Sequence, residues 1–315
     1  MDVDEERTIQ RTQIEVRSGA TALNTSQTAA NVEPAVIERV LVVGAGTMGS
    51  GIAQVVAQAG IQTTLTDADT ASLERGLAGI ASRWVRLTKS GRYSAEDIAG
   101  FHERLTPGTI ADSRCADLVI EAIVEKLEPK SSLFAELATM AQSQTVLASN
   151  TSSISISSLA RASGRPDRFL GLHFFNPVPV LPLVEIVRGM ETSDETLATS
   201  QRFVQAIGKT PIVVSDSPGF VANRILLPMI NEAIFALQDG VAPAESIDEV
   251  MKLGMSHPLG PLALADLIGL DVCLDILETL HRDFGDDKYR PAPMLRRMVG
   301  AGKLGRKSGQ GFYEY

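Results

Sequence analysis

The chain has 315 residues, a hydrophobic fraction of 44% and a formal net charge of -9 at pH 7. This length favours two domains, and the composition is ordinary for a globular enzyme. The acidic balance argues against a nucleic-acid partner, because contact with phosphates requires a basic face. No apolar stretch is long enough to span a membrane, so no membrane partner is expected.

The N-terminal segment and the cysteines both bear on where the protein resides. Residues 1–34 are polar, begin with several acidic residues and have no apolar period, which predicts a flexible tail. This composition fits neither a transit peptide nor a secretory signal. Cys115 and Cys273 are far apart and each has an apolar context, which indicates buried thiols in a reducing compartment. We therefore expect a cytoplasmic protein.

After the tail, the sequence predicts one β-α-β unit. Residues 37–43 are apolar and β-branched, which is typical of a buried parallel strand. A glycine-rich turn follows, and a helix is predicted from about Ser50 to Ala59, where Gly60 ends it. Gln62–Thr66 predicts a second strand, which ends at Asp67.

Strands and helices alternate through the next part of the chain. Helices are predicted from Ala71 to about Lys89, from near Ser94, and from Pro129 to Met140. Strands are predicted at 118–122, 145–149, 168–172 and 184–187. This alternation indicates a mostly parallel sheet, whose ligands bind beyond the carboxyl ends of the strands.

A change of composition at Ser217-Pro218-Gly219 predicts a hinge. From Phe220 to about Leu280 the apolar period is that of helices, with no convincing strand. The predicted fold class is α/β: a Rossmann-type, mostly parallel sheet domain followed by an all-α C-terminal domain. The predicted boundaries are a tail over 1–34, the sheet domain over 35–217 and the helical domain over 218–315.

The glycine-rich turn, Gly44-Ala45-Gly46-Thr47-Met48-Gly49, has the spacing of a dinucleotide-binding motif. It follows a predicted strand, opens a helix and precedes Asp67 at the end of the next strand, as that motif requires. The helix N-terminus offers N–H groups to phosphates, and Asp67 offers its carboxylate to ribose hydroxyls. Asp67 would repel a 2′-phosphate, and neither of the next two residues, Ala68 and Asp69, is basic, so NAD is favoured over NADP. A simple strand-helix turn is the alternative interpretation.

One of the four histidines, His173, follows a predicted strand and lies near Glu185. Imidazole titrates near physiological pH, so it suits the removal of a proton from a hydroxyl group that is being oxidised. A carboxylate on the other ring nitrogen would fix the tautomer and stabilise the imidazolium. The alternative is a core histidine bonded to the backbone. Ser152, at another strand end, is either part of the same site or a turn or capping residue.

Three further features allow coarser predictions. A basic cluster that includes Arg83 and Lys89 is typical of a solvated helix face, although it could meet the phosphates of a large anionic substrate. Trp84 is either a packing residue or a stacking surface for an adenine. The other histidines have no partners at metal-ligand spacing, so no metal site is expected.

Several of these stretches together resemble the 3-hydroxyacyl-CoA dehydrogenase family, and bacterial 3-hydroxybutyryl-CoA dehydrogenases in particular. The similar stretches are 44–54, 149–153, 173–179 and 216–224, and the resemblance runs from about Glu38 to Tyr315. Several independent motifs in the right order make it far more specific than the glycine turn alone. The resemblance implies NAD-dependent oxidation of a (3S)-hydroxyacyl-CoA, most simply a short-chain one, to the 3-ketoacyl-CoA.

The resemblance also implies roles for individual residues in the reaction. His173 would take the proton of the 3-hydroxyl while hydride leaves C3 for the nicotinamide, and Glu185 would orient the imidazole. Ser152 and Asn223 would hydrogen-bond the substrate oxygens. Because Asn223 belongs to the helical domain, domain closure would complete the site. Asn176, in the turn after His173, would shape the substrate site.

For the cofactor, the resemblance adds three residues, Glu125, Lys130 and Lys307, to the glycine turn and Asp67. It places the acyl-CoA contacts on the helix that holds Arg83 and Lys89. It also implies a homodimer formed through the helical domain.

Two other functions stay open on the same scaffold. The chain could be a dehydrogenase of a free 3-hydroxy acid or sugar acid, or a non-catalytic structural relative. The presence of Ser152, His173, Glu185 and Asn223 together argues against a non-catalytic protein. A β-hydroxyacid dehydrogenase with a catalytic lysine is disfavoured, because residues 220–239 contain no lysine.

Overall fold

The fold is built on one sheet within residues 36–315, the part of the chain that the computed structural model describes. Its strands are β1 (Arg39–Val43), β2 (Gln62–Thr66), β3 (Leu105–Pro107), β4 (Leu118–Glu121), β5 (Val146–Ser149), β6 (Phe169–Phe174), β7 (Leu183–Arg188) and β8 (Thr210–Ser215). The order across the sheet is β3-β2-β1-β4-β5-β6-β7-β8. β1 to β6 run parallel, β7 is antiparallel to β6, and β8 is parallel to β7. The predicted mostly parallel sheet is confirmed.

The order of the strands reverses between β1 and β4. From β1 the chain moves outward through β2 to β3, and it then returns to add β4 on the other side of β1. In open α/β sheets a ligand crevice forms at such a reversal, beyond the carboxyl ends of the strands. The topology therefore places a ligand site next to the glycine turn that follows β1.

The sheet separates two apolar cores, because successive side chains of a strand point to opposite faces. Val40 and Val42 of β1 pack into one core, and Leu41 and Val43 pack into the other. Helices cover both faces, as expected for a buried parallel sheet. These helices are α1 (Thr47–Gln58), α2 (Thr70–Lys89), α3 (Ala95–Arg104), α4 (Leu127–Met140), α5 (Ile156–Ser163) and α6 (Asp194–Ala206).

The last part of the described chain is helical and has its own apolar core. Its helices are α7 (Ala222–Gln238), α8 (Ala244–Gly254), α9 (Pro261–Ile268), α10 (Leu270–Phe284) and α11 (Pro293–Gly300). The C-terminal segment is held against α8 and α9 by two buried carboxylates. Asp266 accepts hydrogen bonds from Phe312 N and Tyr313 N, and Asp248 accepts one from the Tyr313 hydroxyl at 2.8 Å. The helical C-terminal domain predicted from the sequence is confirmed.

Individual elements test the local predictions. Ser94 caps α3, whose start the sequence predicts near this residue, and the structure adds that Asp97 completes a capping box. Trp84 is wholly buried against Phe101 and His102, so it is a packing residue and offers no stacking surface to an adenine. The expectation of two buried thiols was wrong for one of them, because Cys115 is exposed at the end of a short 3-10 turn while Cys273 is buried.

No helix of residues 36–315 is long and apolar enough to cross a membrane. The predicted flexible tail over 1–34 lies outside the described residues.

Candidate active site

The glycine turn after β1 requires glycine at two of its positions, once for its backbone conformation and once for close backbone packing. Gly44 has a φ of +106°, and a Cβ there would lie 2.5 Å from the Ala122 carbonyl oxygen. A Cβ on Gly49 would lie 1.7 Å from the Gly44 carbonyl oxygen. A Cβ on Gly46, in contrast, would meet nothing within 4 Å. Gly44 and Gly49 therefore allow the close packing of the turn, and Gly46 leaves its backbone open to a ligand.

Pockets that bind small molecules and cofactors have volumes of about 300 to 1,000 Å³, and the cavity at this turn has a volume of about 920 Å³. Its wall contains Gly44, Gly46, Thr47, Met48 and Asp67. No side chain caps the N-terminus of α1, so its first N–H groups are available to an anion. The residues present therefore fit the pyrophosphate of a dinucleotide.

Asp67 links the glycine turn to the end of β2. Its Oδ2 accepts a hydrogen bond from Ala45 N at 2.8 Å, and its Oδ1 accepts one from Asp69 N at 2.9 Å. These bonds hold the carboxylate at the rim of the cavity. Asp67 thus supports the turn and contributes its carboxylate to the wall of the cavity.

His173 and Glu185 form a buried pair. They lie directly opposite each other in the antiparallel register of β6 and β7, so both side chains point to the same face of the sheet. His173 Nδ1 lies 2.8 Å from Glu185 Oε2. The exposed fractions of the two residues are only 6% and 2%. Since Nδ1 is engaged by the carboxylate, Nε2 is the ring nitrogen left for proton transfer.

The second oxygen of Glu185 contacts the helical domain. Glu185 Oε1 accepts hydrogen bonds from Val221 N at 3.2 Å and from Ala222 N at 3.0 Å, at the start of α7. Two aromatic rings flank the imidazole: the centroid of Phe175 lies 4.5 Å from that of His173, and the centroid of Phe220 lies 5.7 Å from it. The pair is therefore enclosed by both parts of the chain.

Ser152 lies in the loop after β5, and Glu125 holds this loop. Glu125 Oε1 accepts hydrogen bonds from Thr151 Oγ1 at 2.5 Å and from Ser152 N at 2.8 Å. Partial burial alone would raise the pKa of Glu125, but the Lys130 ammonium and these hydrogen bonds outweigh it and hold the pKa below its ordinary value. Glu125 is therefore a carboxylate that stabilises the loop in its charged form.

Lys130 is wholly buried between two carboxylates. Its Nζ lies 2.5 Å from Glu121 Oε1 and 3.2 Å from Glu125 Oε2. Glu121 also accepts hydrogen bonds from Ile123 N and from Ser149 Oγ. The sequence interpretation did not include Glu121; its signal is a carboxylate at the end of the apolar strand β4.

Asn223 brings the helical domain to the Ser152 loop. Its Nδ2 donates a hydrogen bond to the Ser152 carbonyl oxygen at 3.1 Å, and the residue is buried. Asn150 ties the same loop to the strand of the histidine, because its Oδ1 accepts from Phe174 N at 2.9 Å. The structure thus joins Ser152, His173, Glu185 and Asn223 in one connected set.

Four other predicted site residues lie outside this set. The Arg83 side chain crosses to α1, where its Nε donates to Gln54 Oε1, and Lys89 is exposed near the end of α2. Lys307 pairs with Asp271 of α10 and is not in the wall of the cavity at the glycine turn. Asn176 is exposed, in the turn that follows His173.

A cavity at a Rossmann-type glycine turn, in a chain that also holds a buried histidine-carboxylate pair, is typical of a dinucleotide-dependent oxidoreductase. Among the described residues no cluster could hold a metal ion. The family model "3-hydroxyacyl-CoA dehydrogenase, NAD binding domain" matches residues 39–217, and the model of the C-terminal domain of the same family matches residues 219–315. The chain belongs to the 3-hydroxyacyl-CoA dehydrogenase family.

Individual relatives agree with this assignment. A probable 3-hydroxybutyryl-CoA dehydrogenase of Bacillus subtilis is 49% identical over 89% of this chain and 98% of its own length. The 3-hydroxybutyryl-CoA dehydrogenase of Bradyrhizobium diazoefficiens is 48% identical over 89% of this chain and 96% of its own. The crystal structure of (S)-3-hydroxybutyryl-CoA dehydrogenase from Ralstonia eutropha has 48% identity and a TM-score of 0.86, with coverage of 89% of this chain and 99% of that one. The resemblance described from the sequence is confirmed.

Proposed function

We propose that the protein oxidises (3S)-3-hydroxybutyryl-CoA, or a similar short-chain substrate, reversibly to the 3-ketoacyl-CoA with NAD as the acceptor. The observation that carries this proposal is the His173–Glu185 pair, 2.8 Å apart and buried. It lies in a chain that is 48% identical to the (S)-3-hydroxybutyryl-CoA dehydrogenase of Ralstonia eutropha. A proton acceptor with an orienting carboxylate is what the oxidation of a hydroxyl group requires.

In the proposed reaction, His173 Nε2 accepts the proton of the 3-hydroxyl as the carbonyl forms. NAD, when bound at the glycine turn, supplies the acceptor for the hydride that leaves C3. Glu185 keeps a proton on Nδ1 and stabilises the imidazolium that results. In the reverse direction the same nitrogen returns the proton to the oxygen.

Ser152 and Asn223 are proposed to bind the substrate oxygens. The Asn223 amide uses one N–H for the Ser152 carbonyl oxygen, which leaves the second N–H to donate to a substrate. Ser152 Oγ lies 3.3 Å from Glu125 Oε1 and can rotate towards a ligand. Donors aimed at an oxygen that gains charge favour the transition state.

For the cofactor we propose NAD in preference to NADP, because the Asp67 carboxylate lies at the rim of the cavity. Its negative charge would repel a 2′-phosphate. We also propose that Glu125 contacts the cofactor and that Lys130 acts through Glu125, since its ammonium is already held by two carboxylates. Lys307 stays a prediction from resemblance.

For the acyl-CoA substrate, we propose that Arg83 and Lys89 of α2 meet the phosphates. Arg83 is only partly buried, and Lys89 is exposed. A homodimer through the helical domain and a cytoplasmic location stay proposals as well. Exposed apolar side chains on that domain, such as Ile225, Val250 and Leu253, support the dimer, because a partner surface would cover them.

One assay tests the substrate and the cofactor together. The decrease of NADH absorbance is followed with acetoacetyl-CoA, with longer 3-ketoacyl-CoAs and with free acetoacetate, and each reaction is repeated with NADPH. We expect the highest kcat/KM for acetoacetyl-CoA with NADH. A higher kcat/KM for free acetoacetate would favour a dehydrogenase of a free 3-hydroxy acid instead.

The same assay tests the CoA contacts. We expect Arg83→Ala and Lys89→Ala to raise the KM for acetoacetyl-CoA and to leave the KM for NADH unchanged. Arg161→Ala, at the surface of α5, is the matched control. An unchanged affinity for the CoA thioester in both variants would remove these residues from the substrate site.

A further inference from the structure

The two oxygens of Glu185 have different partners, and these partners come from different parts of the chain. Oε2 contacts His173 Nδ1, within the sheet, at 2.8 Å. Oε1 accepts the N–H groups of Val221 and Ala222, at the start of α7. A carboxylate bound on both sides has a fixed orientation, so the position of the α7 N-terminus determines where the imidazole lies.

A turn of two residues with positive φ aims this helix N-terminus at Glu185. Gly219 has a φ of +72°, and Phe220 has a φ of +51°. For a bulky residue such as Phe220 this conformation is strained, and it persists only where the surroundings enforce it. The Phe220 N–H donates to the Ser217 carbonyl oxygen at 2.8 Å, which closes the turn.

The ring of Phe220 is the anchor that enforces this conformation. It is 2% exposed and packs into an apolar core of the sheet domain, with residues such as Val187 and Val214, although it precedes the first helix of the helical domain. The same ring lies 5.7 Å from the imidazole of His173. One side chain therefore joins the sheet core, the start of α7 and the histidine.

We propose that Phe220 is a positioning residue for the base of the reaction. Its anchored ring and its positive φ hold the Val221 and Ala222 N–H groups on Glu185 Oε1, and Glu185 in turn holds His173. This inference rests on the proposed function, since it assigns a role in that same site. It predicts that Phe220 acts through Glu185 and not only through the stability of the fold.

A double-mutant cycle tests the proposal. Phe220→Leu keeps an apolar side chain but loosens the anchor, and it is expected to lower kcat with acetoacetyl-CoA about 10- to 100-fold, with little change in the Kd for NADH. In the Glu185→Gln background, where the carboxylate is already lost, the same substitution is expected to change kcat less than about twofold. Phe220→Met is made in parallel, so that one folded variant is available if the other is unstable.

Phe134→Leu is the matched control, because Phe134 is fully buried in the same core but lies on α4 and packs against Phe169, at the start of β6. We expect a similar loss of thermal stability from this control and less than a twofold change in kcat. Equal effects of Phe220→Leu in the wild-type and Glu185→Gln backgrounds would overturn the proposal, and so would an equal loss of kcat in the control.

A measurement without substrate separates this inference from the proposed function. The proton on His173 Nδ1, bound to a carboxylate, is expected to give a low-field signal in the proton NMR spectrum, assigned by its loss in His173→Gln. The signal should disappear or broaden in Phe220→Leu and Phe220→Met and persist in Phe134→Leu. Persistence in both Phe220 variants contradicts the positioning role whatever the substrate is. Loss of the signal in an enzyme inactive with acyl-CoA would contradict only the proposed function.

Discussion

At the scale of single residues, the pairing of His173 with Glu185 determines which of its two ring nitrogens is free for the proposed proton transfer. Glu185 occupies Nδ1, and the rings of Phe175 and Phe220 limit the rotation of the imidazole. General acid-base catalysis by a positioned side chain contributes about 10²- to 10⁴-fold to a rate. We expect His173→Ala to lower kcat by about this factor while the Kd for NADH, measured by fluorescence titration, stays near the wild-type value. Turnover retained at the wild-type rate would contradict the assignment of the base.

The three glycines of the turn have separable roles, which gives a second prediction. An alanine Cβ at Gly49 would collide with the Gly44 carbonyl oxygen, whereas one at Gly46 would meet no protein atom within 4 Å. We expect Gly49→Ala to lower the thermal midpoint of the protein without cofactor. Gly46→Ala should leave that midpoint unchanged and weaken NADH binding, because its methyl group would project into the cavity. The reverse pattern in calorimetry and titration would refute this division of roles.

At the scale of elements, the loop after β5 depends on a charged Glu125. The pKa of this carboxyl lies below its ordinary value of 4.5 in the folded protein, so its contribution to stability is complete above pH 4.5 and is lost as the pH falls through the lowered pKa. We expect the difference in unfolding free energy between the wild type and Glu125→Gln to shrink as the pH falls below 4.5. Urea unfolding over a pH series measures it.

The exposed Glu103, on α3, provides the control for this pH series. Glu103→Gln should show a smaller difference from the wild type, since no contact of that carboxylate is specified by the fold. A difference for Glu125→Gln that stays constant through the acid range would mean that Glu125 contributes to the fold without regard to its charge.

The elements that the sequence predicts well are those whose signals are local. The apolar run of β1, the glycine turn and the start of α3 near Ser94 each depend on residues close in the chain, and all three were predicted. β8 and β3 were missed. β8 contains Pro211 and is exposed along most of its length, and β3 has only three residues, so neither has the apolar pattern of a buried strand.

In the candidate site, too, the contacts that depend on distant parts of the chain could not be predicted from the sequence. A proximity of His173 and Glu185 is suggested by their spacing, but their direct pairing depends on the register of β6 and β7, which the intervening turn determines. The contacts of Glu185 with α7 come from residues 36 and 37 positions later in the chain. No local pattern specifies such a contact, because it arises only when the helical domain packs on the sheet.

At the scale of the whole molecule, the described residues form one compact unit in which the helical domain is fastened to the sheet at the site itself. Three contacts join the two domains. The Phe220 ring packs in the sheet core, Asn223 donates a hydrogen bond to the Ser152 loop, and N–H groups at the start of α7 donate to Glu185. Loss of the helical domain would therefore expose apolar surface of the sheet and leave one oxygen of the buried Glu185 carboxylate without its donors. Both effects are costly, so the two domains should unfold together.

This coupling predicts the outcome of a substitution far from the sheet. Leu277 is fully buried in the core of the helical domain, and Leu277→Ala should destabilise that domain by about 2 to 5 kcal/mol. The single tryptophan, Trp84, reports on the sheet domain, whereas far-UV circular dichroism reports on helices of both. We expect Leu277→Ala to lower both thermal midpoints by the same amount, and Arg297→Ala, at an exposed position of α11, to leave both unchanged. If the Trp84 transition stayed at the wild-type temperature while the dichroism midpoint fell, the contacts at the site would be too weak to join the domains. The site would then be completed only when ligands bring the domains together.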